Sequence, residues 1–208
     1  MKIFGPVPSR RLGQSLGINL IPPKTCSFSC VYCQLGRTEK MKIERTSFYE
    51  PEKVIEKIEN ELKTLEKKGE KVDYLTFVAD GEPTLDRNLG ALIKSIKKFD
   101  INTAIITNSS LISDKTLRKE LYEVDWVSLK CDAVSKSIWK KIDRPHGQLD
   151  LNKIKQGMIK FSNKFTGHFA TETMLISNIN DNKEEIQRIA EFIKKLNPDV
   201  SYLSIPTR

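Results

Sequence analysis

Strand-like and helix-like stretches alternate six times along this chain of 208 residues. Gly17 to Pro23 is an apolar run closed by two prolines, which read as a strand that must stop there. Pro51 opens a helix at its favoured first position, and Ile55, Ile58, Leu62 and Leu65 give it one apolar face. Asp73 to Ala79 is a second strand, followed by a helix carrying Leu89, Leu92, Ile93 and Ile96. Ile101 to Thr107 is a third strand, with Ser113 expected to cap a short helix through Leu121. Trp126 to Cys131 is a fourth. The connection after it holds a short helix from Val134 to Ile142, a turn at Arg144-Pro145-His146-Gly147, and a helix from Asp150 through Phe161. Phe169 to Ile176 is a fifth strand, with His168 read as a loop residue before it. Asp181 and Glu184 have capping-box spacing at the head of a helix bearing Ile186, Ile189, Ile193 and Leu196. Val200 to Ile205 is a sixth strand, stopped by Pro206. Residues 1–16 are a leader rich in proline, glycine and arginine, and residues 34–50 are polar and irregular.

This alternation is the pattern of strand–helix–strand units with right-handed crossovers in a parallel sheet. A closed eight-unit barrel typically takes about 250 residues. Six units fit the length better, so the expected fold is α/β, an open (βα)6 partial TIM barrel in one domain spanning 1–208. No closing helix follows the sixth strand. The expectation is either a shortened chain or a partner that covers the exposed edge. With 38% hydrophobic residues the chain can bury a core, and disorder is not the default. No apolar run is long enough to span a bilayer, and the amino terminus has no signal-peptide pattern.

The chemistry is concentrated in residues 26–33, Cys26-Ser27-Phe28-Ser29-Cys30-Val31-Tyr32-Cys33. The spacing is CxxxCxxC. Three thiolates on one loop converge on a thiophilic centre, because soft sulfur ligands select zinc, Cu(I) or iron–sulfur clusters. A [4Fe–4S] cube normally takes four cysteines. Three would leave one iron open to a small molecule. Four cysteines in all, three of them clustered, do not read as a disulfide framework; they fit a reducing compartment, and the cytoplasm is the expected location.

CxxxCxxC with an aromatic before its last cysteine, Tyr32, resembles the cluster loop of the radical S-adenosylmethionine (radical SAM) superfamily. Gly5-Pro6-Val7-Pro8-Ser9-Arg10-Arg11-Leu12-Gly13 upstream and Gln34-Leu35-Gly36-Arg37-Thr38 downstream resemble a largely uncharacterised group within it. That group is placed by similarity beside the enzymes of tRNA wyosine-base synthesis. The resemblance runs from about Phe4 to Arg208. It implies a [4Fe–4S] cluster on Cys26, Cys30 and Cys33 and S-adenosylmethionine on the open iron. It also implies reductive cleavage to a 5′-deoxyadenosyl radical, with electrons from a reductant such as a flavodoxin or ferredoxin. Gly81-Glu82 stands where the family's glycine–glutamate motif binds the ammonium group, although Asp-Gly and Pro also make a plain turn. Lys130 resembles the lysine that pairs with the methionine carboxylate, and Ser128 the residue on the ribose hydroxyls. The two share one strand face, and a water-bridged polar pair is the plainer reading. Tyr32 is expected near the adenine, and Asn108, at the end of the third strand, joins the cofactor-binding set.

Every polar cluster falls at the carboxyl ends of strands, the active face of a parallel barrel. Cys131, on the opposite strand face from Lys130, is expected to be a buried free thiol rather than a fourth ligand. Arg10, Arg11, Arg144, His146, Glu172 and Arg208 are candidate substrate contacts. The net charge of +8 fits a nucleic-acid partner, but a lysine-rich solvated surface accounts for it more simply. A tRNA substrate and a protein substrate, as in glycyl-radical activation, are both carried forward. Two further readings are a zinc-stabilised nucleic-acid-binding module using three cysteines and a histidine, and a barrel that holds the cluster without catalysis. The six-fold alternation disfavours the zinc module.

Overall fold

A computed structural model of the chain describes residues 1–206; Arg208 lies outside the described residues. The leader is where sequence and structure differ first. Lys2–Ser9 forms strand β1, antiparallel to β2 at Gly13–Asn19, with Phe4 opposite Gly17. A side chain at Gly17 would put its Cβ 2.3 Å from the Phe4 ring, so the ring lies flat over bare backbone. The proline-rich composition hid this strand; proline is tolerated at a sheet edge, where β1 lies. The first parallel strand also begins and ends four residues earlier than expected.

Short strands β3 (Thr25–Cys26) and β4 (Lys40–Met41) pair with each other apart from the main sheet. The chain continues through α1 (Pro51–Lys67), β5 (Tyr74–Phe77), α2 (Leu89–Ile96), β6 (Asn102–Thr107), α3 (Lys115–Leu121) and β7 (Trp126–Lys130). It ends with α4 (Lys136–Ile142), α5 (Leu151–Ser162), β8 (His168–Met174), α6 (Lys183–Leu196) and β9 (Val200–Ser204). The main sheet has the order β1-β2-β5-β6-β7-β8-β9, parallel from β2 onward and open at both edges. This is the expected open six-unit parallel sheet, with one antiparallel strand added.

Two caps differ from expectation. Asp114, not Ser113, caps α3, its carboxylate accepting from the Thr116 and Leu117 amides. Asn182, not Asp181, caps α6 by accepting from the Glu185 amide. His168 opens β8 and stacks on Trp126 at 6.3 Å. On α6, Ile186 faces solvent and Phe192 fills the buried position instead.

Strand side chains alternate between two faces. Leu75, Phe77, Ile105, Val127 and Leu129 point outward and pack under helix residues such as Ile58, Leu92, Leu121, Met158 and Phe161. Full burial of each such side chain is worth roughly 1.5–3 kcal/mol. On the concave face, Leu12 from the β1–β2 turn packs with Ala104, Trp126 and Ala170. That small cluster closes the amino-terminal end of the half-barrel. The carboxyl ends of the strands are left to polar groups.

Candidate active site

The cysteine loop is held from two sides. On one side the Lys24 amide donates to the Asp80 carbonyl at 2.8 Å, and the Glu82 amide to the Thr25 carbonyl at 3.3 Å. On the other, the Ser29 amide donates to the Asp143 carbonyl at 2.9 Å and the Val31 amide to the Ile142 carbonyl at 2.8 Å. Phe28 is buried edge-on against Trp139 at 5.9 Å. The loop is therefore clamped between the segment after β5 and the end of α4.

Cys26, Cys30 and Cys33 line one cavity of about 190 Å³ at the strand ends. Its opposite wall carries Glu82, Asn108, Ser128, Lys130 and Glu172. Tyr32 and Gly81 complete the rim. The expected cluster and cofactor residues thus surround a common space. Cys131 is not among them. It is buried in the outer core, and its carbonyl accepts from Thr173.

Glu82 is only 1% exposed, and its carboxylate is well occupied. One oxygen accepts from the Thr84 amide, the Thr84 hydroxyl and the Thr107 hydroxyl at 3.1, 2.7 and 2.6 Å. The other accepts from the Asn108 amide at 2.8 Å. Burial pushes its pKa up, and these bonds oppose the push. Glu82 thus ties the end of β5 to the end of β6. Asn108 extends the tie by donating to Ser27 Oγ at 3.0 Å and to Cys26 Sγ at 3.4 Å.

Lys130 sits between an aromatic ring and carboxylates. Its Nζ is 4.6 Å from the Tyr32 ring centroid and 3.9 Å from Glu172 Oε1. Burial works against the ammonium, but Asp132, Glu172, Cys30 and Asp143 outweigh it and raise the pKa, so the lysine stays charged. The Tyr32 hydroxyl donates to Asp132, and the Cys30 thiol to Asp143 at 3.4 Å. Asp143 is a site residue that sequence reasoning missed. It lies 113 positions from Cys30 and has no motif around it.

Burial, then the Glu82 carboxylate, pushes the Cys26 thiol up to about 12. Burial and Asp143 push Cys30 well up. Thiols so placed ionise only beside a strong cation such as a metal centre. The Ser128 hydroxyl is buried in the cavity wall with no hydrogen-bond partner among the described residues. Three soft donors, one orphaned hydroxyl and one charged lysine around a shared cavity fit a thiolate-bound cluster with a polar small molecule beside it.

The weaker substrate candidates divide. Glu172 lines the cavity, and Arg11 reaches it by pairing with Glu172. Arg10 and Arg144 are exposed and His146 half-buried, all outside the cavity lining. The last two lie on the segment that braces the loop, the His146 amide donating to the Ser27 carbonyl at 2.9 Å. No helix of the described residues is long and apolar enough to cross a membrane.

A family model described as the Radical SAM superfamily matches residues 20–193. A UPF0026 protein of Methanocaldococcus jannaschii is 52% identical over 205 residues, covering 99% of this chain and 63% of that protein. A UPF0026 protein of Helicobacter pylori strain J99 is 38% identical, covering 99% and 67%. The chain thus spans about two thirds of the length of these relatives. Among solved structures, TYW1 with a lysine-pyruvate adduct bound superposes with a TM-score of 0.63 at 18% identity, covering 93% of this chain and 66% of that one.

Proposed function

Because this chain belongs to the radical SAM superfamily, whose enzymes use a [4Fe–4S] cluster and S-adenosylmethionine, we propose that Cys26, Cys30 and Cys33 hold that cluster and that the cavity wall holds the cofactor. With both bound, the group would supply one-electron reductive cleavage of a carbon–sulfur bond of S-adenosylmethionine, to methionine and a 5′-deoxyadenosyl radical able to take a hydrogen atom from a substrate.

The chain's own part is placement and shielding. Lys130 faces the methionine carboxylate. Backbone around Gly81-Glu82 receives the ammonium group, with Glu82 fixing that backbone through Thr84, Thr107 and Asn108. Ser128 offers its unpartnered hydroxyl to the ribose. Tyr32, held by Asp132 and covering Lys130, bounds the adenine side. Asn108 donates toward Cys26 and sets that sulfur's orientation.

The observation that carries this reading is the shared cavity. Three cysteines and residues from four strands, β5 to β8, line one space. An RNA nucleotide is the first substrate class to test, on the resemblance of the leader and the cysteine-loop flanks to the group placed beside the tRNA wyosine-synthesis enzymes; the net charge of +8 is compatible with it. A peptide is the second. The reductant is a small one-electron protein of the flavodoxin or ferredoxin kind.

The test is anaerobic reconstitution followed by reduction in the presence of S-adenosylmethionine. Brown protein with about four irons per chain and release of 5′-deoxyadenosine are expected, both lost in Cys30→Ala. Colourless, zinc-loaded protein, or a brown protein that releases no 5′-deoxyadenosine, overturns the reading. Adding bulk tRNA or a peptide pool and measuring the rate of product release then separates the substrate classes.

A further inference from the structure

Arg11 and Lys130 share one carboxylate, and they share it unequally. Arg11 Nη1 donates directly to Glu172 Oε2. Lys130 Nζ stands 3.9 Å from the other oxygen, Oε1, which is beyond hydrogen-bond range. The side chains of Arg11, Glu172 and Lys130 are 25%, 16% and 19% exposed, so solvent screens their interactions only in part.

Arg11 is held where it can do this. The next residue, Leu12, is 3% exposed and plugs the base of the half-barrel. The amides of Arg11 and Leu12 both donate to Ser9 Oγ at 3.2 Å. The guanidinium carbon lies 4.0 Å from the Tyr202 ring centroid, a stacked geometry that suits arginine. Arg11 does not line the cavity, whereas Glu172 and Lys130 both do. The leader arginine thus reaches the site only through the glutamate.

We infer that Arg11 is a positioning residue that draws Glu172 away from Lys130, leaving the Lys130 ammonium free to receive the carboxylate of S-adenosylmethionine. The inference rests on Lys130 holding that carboxylate. Without Arg11, Glu172 is an unpaired carboxylate beside a cation in a half-buried cavity. It would close on Lys130, and it would repel an incoming anion. The opposing charges explain why a glutamate is tolerated in a wall that must admit a carboxylate.

The probe is S-adenosylhomocysteine, which carries the same carboxylate, lacks the sulfonium and is not cleaved. Its affinity for the reconstituted protein is measured by equilibrium dialysis, with the melting temperature of each variant followed alongside. R11Q is expected to weaken binding about tenfold, the scale of one altered charge interaction in a cavity that solvent partly screens. R11Q/E172Q is expected to restore binding to within about twofold of wild type, the signature of coupling between the two sites. E172Q alone is expected to bind as tightly as wild type or tighter. R11K, which keeps the charge, is expected to fall between wild type and R11Q.

Normal binding by R11Q overturns the inference. So does failure of the double variant to recover at an unchanged melting temperature, which would mark Arg11 as merely structural. Weaker binding by E172Q overturns it even where R11Q fails to fold. K130Q separates this inference from the reading beneath it. If K130Q binds normally, the assignment of Lys130 itself fails; if K130Q binds weakly while R11Q binds normally, only the role of Arg11 does.

Discussion

Gly81 and Thr25 approach so closely that a Cβ on Gly81 would stand 1.9 Å from the Thr25 carbonyl oxygen. The contact joins the loop after β5 to the start of the cysteine loop, where the flanking amides of Lys24 and Glu82 cross between the two segments. Backbone cannot give way as a flexible side chain can. Gly81→Ala is therefore expected to push the two loops apart. Iron retained after anaerobic reconstitution should drop to less than half the wild-type content, while far-ultraviolet circular dichroism stays near wild type. Full iron retention by this variant would show that the two loops need not touch.

The four cysteines should separate cleanly into two kinds. Ala at Cys26, Cys30 or Cys33 is expected to abolish the iron-dependent visible absorption. Ala at Cys131, buried at 5% exposure in the outer core, should leave that absorption intact and lower stability by about 1–2 kcal/mol, the scale of a small core cavity. Iron analysis and urea unfolding together check both halves.

Ser128 offers a test in which stability and binding part company. Its hydroxyl is buried and unpartnered, so Ser128→Ala removes an unsatisfied group. The variant is expected to be as stable as wild type or slightly more so, within about 1 kcal/mol. Affinity for S-adenosylhomocysteine should nevertheless fall about five- to tenfold, the value of one lost hydrogen bond. Equal binding by the two proteins would remove Ser128 from the cofactor site.

Asp86 makes a pH prediction away from the cavity. One carboxylate oxygen accepts from the Asn88 amide at 2.7 Å, and the other is buried without a partner. Burial pushes the pKa up to about 6 from the ordinary value of 3.8, against the opposing pull of the Asn88 bond and Arg45. The folded protein therefore keeps a proton that the unfolded chain has lost between about pH 4 and pH 6. Stability from this group is highest at the acid end of that window, falls as pH rises through it, and is flat above it. The full shift of roughly two pKa units is worth at most about 3 kcal/mol, of which about 2 kcal/mol falls between pH 4.5 and 7.5. Other buried carboxyls titrate too, so the quantity to measure is the difference between wild type and Asp86→Asn in urea unfolding from pH 4.5 to 7.5. A pH-independent difference would refute the shift.

Much of this protein is legible in its amino-acid order. Apolar runs locate all six parallel strands; β2, β5, β6, β7 and β8 are buried on the outer face by helices, whereas β9 leaves Leu203 exposed there. CxxxCxxC with Tyr32 marks the cysteine loop, and Gly81-Glu82, Asn108, Ser128 and Lys130 lie around the cavity that the loop faces. The leader misleads because its prolines and glycines read as irregular chain, whereas an edge strand needs only alternate backbone groups free to pair. The cap residues Asp114 and Asn182 differ by one residue, since several polar side chains compete for each helix start, and β8 begins one residue early, at His168.

Local sequence determined the elements, their order and the spacing of the sulfurs, because those depend on neighbours a few residues apart. Only the folded chain decided that Arg11 meets Glu172 across 161 positions, that Asp143 stands against Cys30, and that Cys131 points to the other side of the sheet. Those relations are set by strand register and barrel curvature. Both come from packing the whole sheet at once, and no short stretch of sequence carries them.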